Sequence, residues 1–326
     1  MLKIENIVTT EIFDFKRLGH EELSGIFTPN YNQDYVNQYI HEQFILGAEN
    51  YHKFYKKHDF FKSIIRRFVN HLNIDVDSPS YILDIGSGSG NSVIPLLQMF
   101  PKAHIIATDL SVNLLAILSK EVTDMDLRER VSILQMNAQE LNLKPDSIDI
   151  VCGAAILHHL FEPEKTIARC AEILKPGGHA LFIEPMQMGN YFVRMLYAMA
   201  LQDPRSDQIP ERCRRYFANR IRFFDDRSGI DKSNPKFLKM DDKWMFVRDY
   251  LSELVDKYGF KNLSILPIGN AKKVVRTKLD THFRAVKISF SDLPVWFSQM
   301  VDEVDNNIPD KLRREIITEA AIIFTN

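Results

Sequence analysis

Only three cysteines occur in 326 residues, Cys152, Cys170 and Cys213. They are far apart, odd in number and in no CxxC spacing. That argues against a disulfide framework or a cysteine-bound zinc and fits a reducing cytoplasm. Charge of one sign is scarce as well: 41 Lys and Arg face 43 Asp and Glu, a net of -2. The chain therefore has no overall electrostatic drive towards nucleic acid or an anionic membrane. No apolar run approaches the roughly 20 residues of a membrane span. The start, MLKIENIVTTEIFDF, has no basic residues followed by an apolar stretch, so no secretory signal is expected. Internal repeats and low-complexity tracts are missing. The adjacent His158 and His159 are the nearest approach to a metal-ligand cluster, and neighbouring residues rarely make such a site alone, so metal-independent chemistry is expected.

What is present is ordinary globular composition, 45% apolar and 26% charged, in a chain long enough for one large domain with an added lid. Residues 1–78 are rich in aromatics at helical spacing. Tyr31, Tyr35 and Tyr39 fall at i, i+4, i+8, and Phe60, Ile64, Ile65 and Phe68 form a second stripe. This part reads as a helical cap, ended by Ser78-Pro79. From about 80 to 185, short apolar strands alternate with helices. Strands are expected at Tyr81–Ile85, His104–Thr108, Val131–Met136, Ile148–Cys152 and His179–Glu184. Helices are expected at Ser92–Met99, after Leu110-Ser111, and from Pro163 to the stop at Lys175-Pro176-Gly177-Gly178. Such alternation predicts a mostly parallel sheet covered on both faces. An insert at about 186–245 interrupts the rhythm. It resumes with a helix at Val247–Tyr258, a strand at Leu263–Leu266, helices at Val295–Val304 and Asp310–Ile317, and a last strand at Ala320–Thr325.

The stretch YILDIGSGSGNSV, residues 81–93, ends a strand in Asp84 and follows it with Gly86, Gly88 and Gly90. Glycines there let backbone approach a ligand closely. No GxxxxGK[ST] is present, which argues against a phosphate-binding P-loop, and GxGxG is not the GxGxxG of dinucleotide folds. A second acid, Asp109, ends the next strand nineteen residues after Gly90. An acid at that place can accept hydrogen bonds from both ribose hydroxyls. The competing role, capping the helix that begins LSVNLL, is open to Ser111 too.

Five motifs stand in order: LDIGSGSG (83–90), ATDLS (107–111), LQMNAQEL (134–141), SIDIVCGAAILHHL (147–160) and LKPGGHALFIEP (174–185). In these the chain resembles the class I S-adenosylmethionine-dependent methyltransferases, strongly over 80–185 and weakly beyond. The resemblance implies a Rossmann-like, doubly wound sheet of seven strands, and S-adenosylmethionine as cofactor. It implies that Asp84 orients the loop near the amino-acid end of the cofactor, while Gly86, Ser87, Gly88 and Gly90 wall it in. Asp109 would hold the ribose and Leu110 would pack on the adenine. Asn137 and Ala138 would border the adenine edge, although the family often has Asp where Asn137 stands. Gly153 and Ala154 would face the methionine portion.

Chemistry then needs a nucleophile aligned with the S–CH3 bond and, for an acceptor that must lose a proton, a base. His158, beyond the fourth strand of the alternation, is the first choice as base and His159 the second. Each is open to a bland reading as a packing or capping residue. Glu184 is placed to orient an acceptor, or else to receive backbone N–H groups. Tyr191 and Arg194 follow it towards the substrate side. Six arginines, Arg205, Arg212, Arg214, Arg215, Arg220 and Arg222, could grip an anionic acceptor. However, Cys213, Phe217, Ile221 and Phe224 form an apolar stripe that places most of them on a solvated face. Tyr31, Tyr35, Tyr39 and Tyr51 are expected to pack the cap, with one or two reaching the pocket. The reading favoured is methyl transfer to a small-molecule acceptor, without nucleic-acid or membrane partners. Protein methylation and a non-catalytic, cofactor-binding scaffold are the alternatives.

Overall fold

The strand–helix alternation appears in the computed structural model, which describes residues 4–227, 237, 239–270 and 272–326. Nine strands form one sheet: β1 (Phe13–Asp14), β2 (Ile26–Thr28), β3 (Tyr81–Ile85), β4 (His104–Asp109), β5 (Val131–Gln135), β6 (Ile148–Ala154), β7 (Leu174–Pro185), β8 (Asn262–Pro267) and β9 (Glu319–Thr325). Their order is β1-β2-β5-β4-β3-β6-β7-β9-β8. Pairing is parallel from β2 through β7, with Asp84 level with Ala107 on one side and Cys152 on the other. The order reverses between β3 and β6, so a crevice opens beyond the carboxyl ends of those strands. The central strands are buried on both faces, as continuous apolar runs such as HIIAT require. Ile82, Leu83, Ile105, Ile106 and Val151 are all at most 0% exposed.

The expected count of seven strands is corrected to nine. The two additional strands come from the segment expected to be helical. Ile26 pairs with Ile133 and Phe27 with Leu134. Side chains hold this edge: Thr28 Oγ1 donates to Gln135 Oε1 at 2.7 Å, and Arg128 Nη2 donates to the Gly25 carbonyl at 2.6 Å. The rest of the N-terminal segment is helical as expected, in α1 (Gln33–Tyr39), α2 (Ala48–Tyr55) and α3 (His58–Leu72). The helices α4 (Val93–Met99), α5 (Val112–Asp124) and α6 (Pro163–Ile173) connect the central strands. β7 begins at Leu174 rather than His179, with an irregularity against β6 between Ile148 and Ile150 that accommodates the Lys175–Gly178 stop.

The chain divides into two units. One comprises Met1–Ile183, Leu251–Ser264 and Ala321–Asn326, the other Glu184–Tyr250 and Ile265–Ala320. Part of the expected insert, 228–236 and 238, lies outside the described residues. The second unit holds α7 (Gln187–Gln202), α8 (Glu211–Asp225), α10 (Val274–Ala285) and α11 (Val295–Asn307), while α9 (Arg248–Tyr258) begins in it and ends in the first. Its core is built on Tyr197, Phe217, Phe283 and Phe297, all buried. The stripe Cys213, Phe217 and Phe224 is buried in it, as the spacing predicts. The helix expected at Asp310–Ile317 is only a 3-10 turn at Asp310–Leu312. Ile316 and Ile317, beyond that turn, are both buried. No helix among the described residues is long and apolar enough to cross a membrane.

Candidate functional site

Asp84 closes β3 and is fully buried. Its Oδ2 accepts from Ser92 Oγ at 2.9 Å, and its carbonyl accepts from Ser87 Oγ and Thr108 Oγ1, both at 3.0 Å. Ser87 also exchanges hydrogen bonds with Thr108: its amide donates to the Thr108 carbonyl at 2.8 Å, and its hydroxyl accepts the Thr108 N–H at 3.0 Å. The glycine loop is thereby stitched to both β3 and β4. Burial pushes the Asp84 carboxyl up to about 6, against the hydroxyl donors that hold it down. Oδ1 has no hydrogen-bond partner among the described residues. The side chain is interior, so what it can do is fix the loop.

The glycines are conformational necessities. Gly86, Gly88 and Gly90 have φ of 66°, 50° and 104°, a region that side chains disfavour. A Cβ on Gly86 would lie 2.7 Å from Ile156 Cδ1, and one on Gly90 would lie 2.8 Å from Leu118 Cδ1. The Gly88 amide donates to Asp109 Oδ2 at 2.9 Å, and the Ser111 amide donates to Asp109 Oδ1 at 2.8 Å. Capping of α5 falls to Ser111, whose Oγ accepts the Leu114 N–H. Asp109 is thus free of the capping role and sits at the crevice, its carboxyl raised by burial and lowered by these amides.

A cleft of about 390 Å³ opens there. Gly86, Asp109 and Leu110 line it from the first two strand ends. Met136, Asn137, Ala138 and Gln139 line it beyond β5, and Ile156, Leu160 and Phe161 beyond β6. Tyr39 and Ile40 close it from the end of α1. It has backbone where a ligand must come close, one carboxylate, and apolar walls, which suits a nucleoside. Asn137 is oriented by its neighbours: Oδ1 accepts the Gln139 N–H at 3.0 Å, and Nδ2 donates to the Tyr35 hydroxyl at 2.8 Å. Tyr31 stacks on Tyr35 at 4.7 Å, Tyr35 meets Tyr39 at a tilt with centroids 4.9 Å apart, and Tyr39 meets Phe161 edge-on at 5.9 Å. Tyr51 instead packs on Phe44 and Tyr55.

The other expected residues are distributed as follows. Gly153 is buried against Phe182 and Ile156, where a Cβ would come within 2.7 Å of the Phe182 ring. Ala154 ends β6 beside it. Neither is among the residues lining the cleft. Ala155 follows with a φ of 59°, its amide bonded to the Ile183 carbonyl. A non-glycine residue held there stores strain in the turn that leads to the histidines. His158 and His159 share the turn Leu157–His159, with rings 4.1 Å apart, and Phe44 meets His159 edge-on. Glu184 is buried near the end of β7. Arg194 is engaged by a double hydrogen bond to Asp225, while burial raises the Tyr191 hydroxyl. Sequence reasoning missed Ile40, Met136, Gln139, Ile156, Leu160 and Phe161. Ile156 and Leu160 sit inside the quoted AAILHHL, so only their direction was hidden. Phe161 has no signal in sequence.

Residues 83–182 match the sequence model of the family described as "Methyltransferase domain". A ubiquinone/menaquinone biosynthesis C-methyltransferase of Syntrophotalea carbinolica is 26% identical over 36% of this chain and 48% of its own. A malonyl-[acyl-carrier protein] O-methyltransferase of Halalkalibacterium halodurans is 34% identical over 32% of this chain and 39% of its own. The chain thus spans less than half the length of either curated relative. A solved structure of phosphoethanolamine N-methyltransferase 2 from Haemonchus contortus, in complex with S-adenosyl-L-methionine, aligns over 86% of this chain and 56% of that one. Its identity is 16% and its TM-score 0.48.

Proposed function

We infer that this chain, which carries a class I S-adenosylmethionine-dependent methyltransferase domain over residues 83–182, transfers a methyl group to a small-molecule acceptor. The observation that supports it most is the cleft at the sheet's reversal point, with a carboxylate, Asp109, and a side-chain-free wall at Gly86. The cofactor supplies a methyl group already activated on a sulfonium. Asp109 would accept from the ribose hydroxyls, Leu110 would pack against the base, and Asn137 and Ala138 would border its edge. Asp84, with Ser87, Gly88 and Gly90, holds the loop's shape, and Gly153 and Ala154 would face the methionine portion. His158 would hold the proton lost by the acceptor's nucleophile, and Glu184 would orient the acceptor. With the cofactor bound, Tyr39, Ile40 and Phe161 would limit water on the adenine side, which would strengthen each polar contact there.

The test is a labelling survey. S-adenosylmethionine with an isotopically heavy methyl group is incubated with the protein and fractionated source-cell extract, and products are read by mass spectrometry. Heavy methyl on a small metabolite supports the reading. Label on protein or nucleic acid would replace the acceptor class. Tight S-adenosylhomocysteine binding without any label would favour the non-catalytic alternative.

A further inference from the structure

The arginines of the second unit are sorted by their partners. Arg205 forks onto Asp203, Arg212 donates to the Lys287 carbonyl, and Arg214 and Arg215 pair with Glu211. Arg222 is exposed and bonds Asn219. Arg220 differs. Its guanidinium lies 3.9 Å from the Phe223 ring centre and 4.9 Å from that of Phe224, and no carboxylate among the described residues is within ion-pair distance. Its polar partner among the described residues is His282, whose Nε2 is 3.3 Å from Nη2. That imidazole is anchored: Nδ1 meets the Tyr197 hydroxyl at 3.1 Å, and Tyr216 donates to the His282 carbonyl at 3.1 Å. Burial holds His282 down to about 2, so it is neutral and offers Arg220 a lone pair without a compensating charge.

Just past α8, Arg227 approaches the same Phe223 ring, its guanidinium carbon 3.3 Å from the centre. Its side chain is 9% exposed. Nη1 donates to the Phe223 carbonyl at 2.7 Å, and Nη2 reaches Asp242 at 3.4 Å. Lys243, a third buried cation, donates to the Met240 carbonyl at 2.6 Å. Asp226, Asp241 and Asp242 are acids around Arg227, and Asp242 pairs with it. The Nε atoms of both Arg220 and Arg227 are buried without a hydrogen-bond partner among the described residues. Stacking on Phe223 accounts for the planar faces of the guanidiniums. It leaves unmatched the edge donor that, with a neighbouring Nη, makes the two-toothed fork for a carboxylate or phosphate.

We propose that Arg220 and Arg227, set on either end of the Phe223 segment, form an oxyanion site that takes the carboxylate or phosphate group of the acceptor. The identification of the anion with the acceptor rests on the methyl-transfer reading. The site itself does not. His282 and Tyr197 act as positioning residues, since they fix the Arg220 fork before any anion arrives, which lowers the ordering cost of binding.

The experiment titrates the full chain with inorganic phosphate and, separately, with malonate, following the arginine Nε–H resonances by NMR and affinity by calorimetry. Saturable shifts of the Arg220 and Arg227 resonances are expected, with at least tenfold weaker binding in Arg220→Met and in Arg227→Met. Arg222→Met should bind as the unaltered chain does. Response to phosphate alone points to a phosphorylated acceptor, and response to malonate alone to a carboxylate. S-adenosylhomocysteine affinity, measured in parallel, should be the same in all variants. Unmoved Nε–H resonances with both anions overturn the proposal without reliance on any variant. So does equal loss of anion and S-adenosylhomocysteine binding, which would mark a merely structural role. Failure of methyl transfer with anion binding intact would refute the acceptor reading alone.

Discussion

At Asp109, one side chain serves two ends. Its carboxylate collects the amides of Gly88 and Ser111, which sets the loop, and it faces a cleft where a ribose would add donors. Asp109→Asn should weaken S-adenosylhomocysteine binding at least tenfold by calorimetry, because hydrogen bonds to a charged acceptor are worth about 1.5–3 kcal/mol each. Gly86→Ala should also abolish binding, since the added carbon meets Ile156 at a φ that alanine disfavours. Unchanged affinity in both variants would remove the cleft as the cofactor site. Asp84 gives a different signature. Its carboxyl moves from 3.8 in the open chain to about 6 when buried. Between those values the folded state keeps a proton that the unfolded state has lost. Its contribution is therefore full below 3.8 and declines as pH rises through about 6, by at most about 3 kcal/mol. Asp84→Asn should flatten that decline, measured as the difference in unfolding free energy between variant and parent across the window.

At the scale of elements, the N-terminal segment is tied to the parts of the chain that line the cleft. His52 Nδ1 meets Ser89 Oγ at 2.9 Å, and Asn91 exchanges hydrogen bonds with the Tyr55 carbonyl and the Lys57 amide. Ser111 and Asn113 donate to the carbonyls of Phe44 and Ile45, and Tyr35 accepts from Asn137. Glycine loop, α5 and the turn after β5 are each tied to residues 35–57. Tyr35→Phe leaves the stacked rings in place and removes the acceptor for Asn137. The loss of about 0.5–1.5 kcal/mol should appear as a several-fold weaker S-adenosylhomocysteine affinity with little change in circular dichroism. An affinity equal to that of the parent would show that the segment covers the site without shaping it.

For the whole molecule, charge and core lead to separate expectations. A net of -2 gives no overall cationic field towards a polyanion. Fluorescence anisotropy with RNA and duplex DNA at physiological salt should show no saturable binding, and a salt-dependent signal would reopen the nucleic-acid reading. Each unit has its own apolar interior: sheet residues such as Leu83, Ile105 and Val151 in one, and Tyr197, Phe217 and Phe297 in the other.

The sequence by itself determined the central sheet and the glycine loop at its crest. Strands buried on both faces must be uninterrupted apolar runs, and the turns beyond them need glycine or a capping hydroxyl, so β3, β4 and the loop between them are legible from local chemistry. Tertiary structure decided what local chemistry leaves degenerate. Two residues of pairing at Ile26–Phe27 make a strand only because β5 offers an open edge, and Thr28 and Arg128 secure it. The helical pattern expected over Asp310–Ile317 stops at Leu312, and Ile316 and Ile317 are buried beyond it. Tyr39 and Phe161 at the cleft, and Tyr35 behind Asn137, are placed by contacts with partners over a hundred residues away in the chain. Arg220 is set apart from its neighbours in the same way, by His282. Periodicity reports which face of an element is buried, and only the packed fold reports against what.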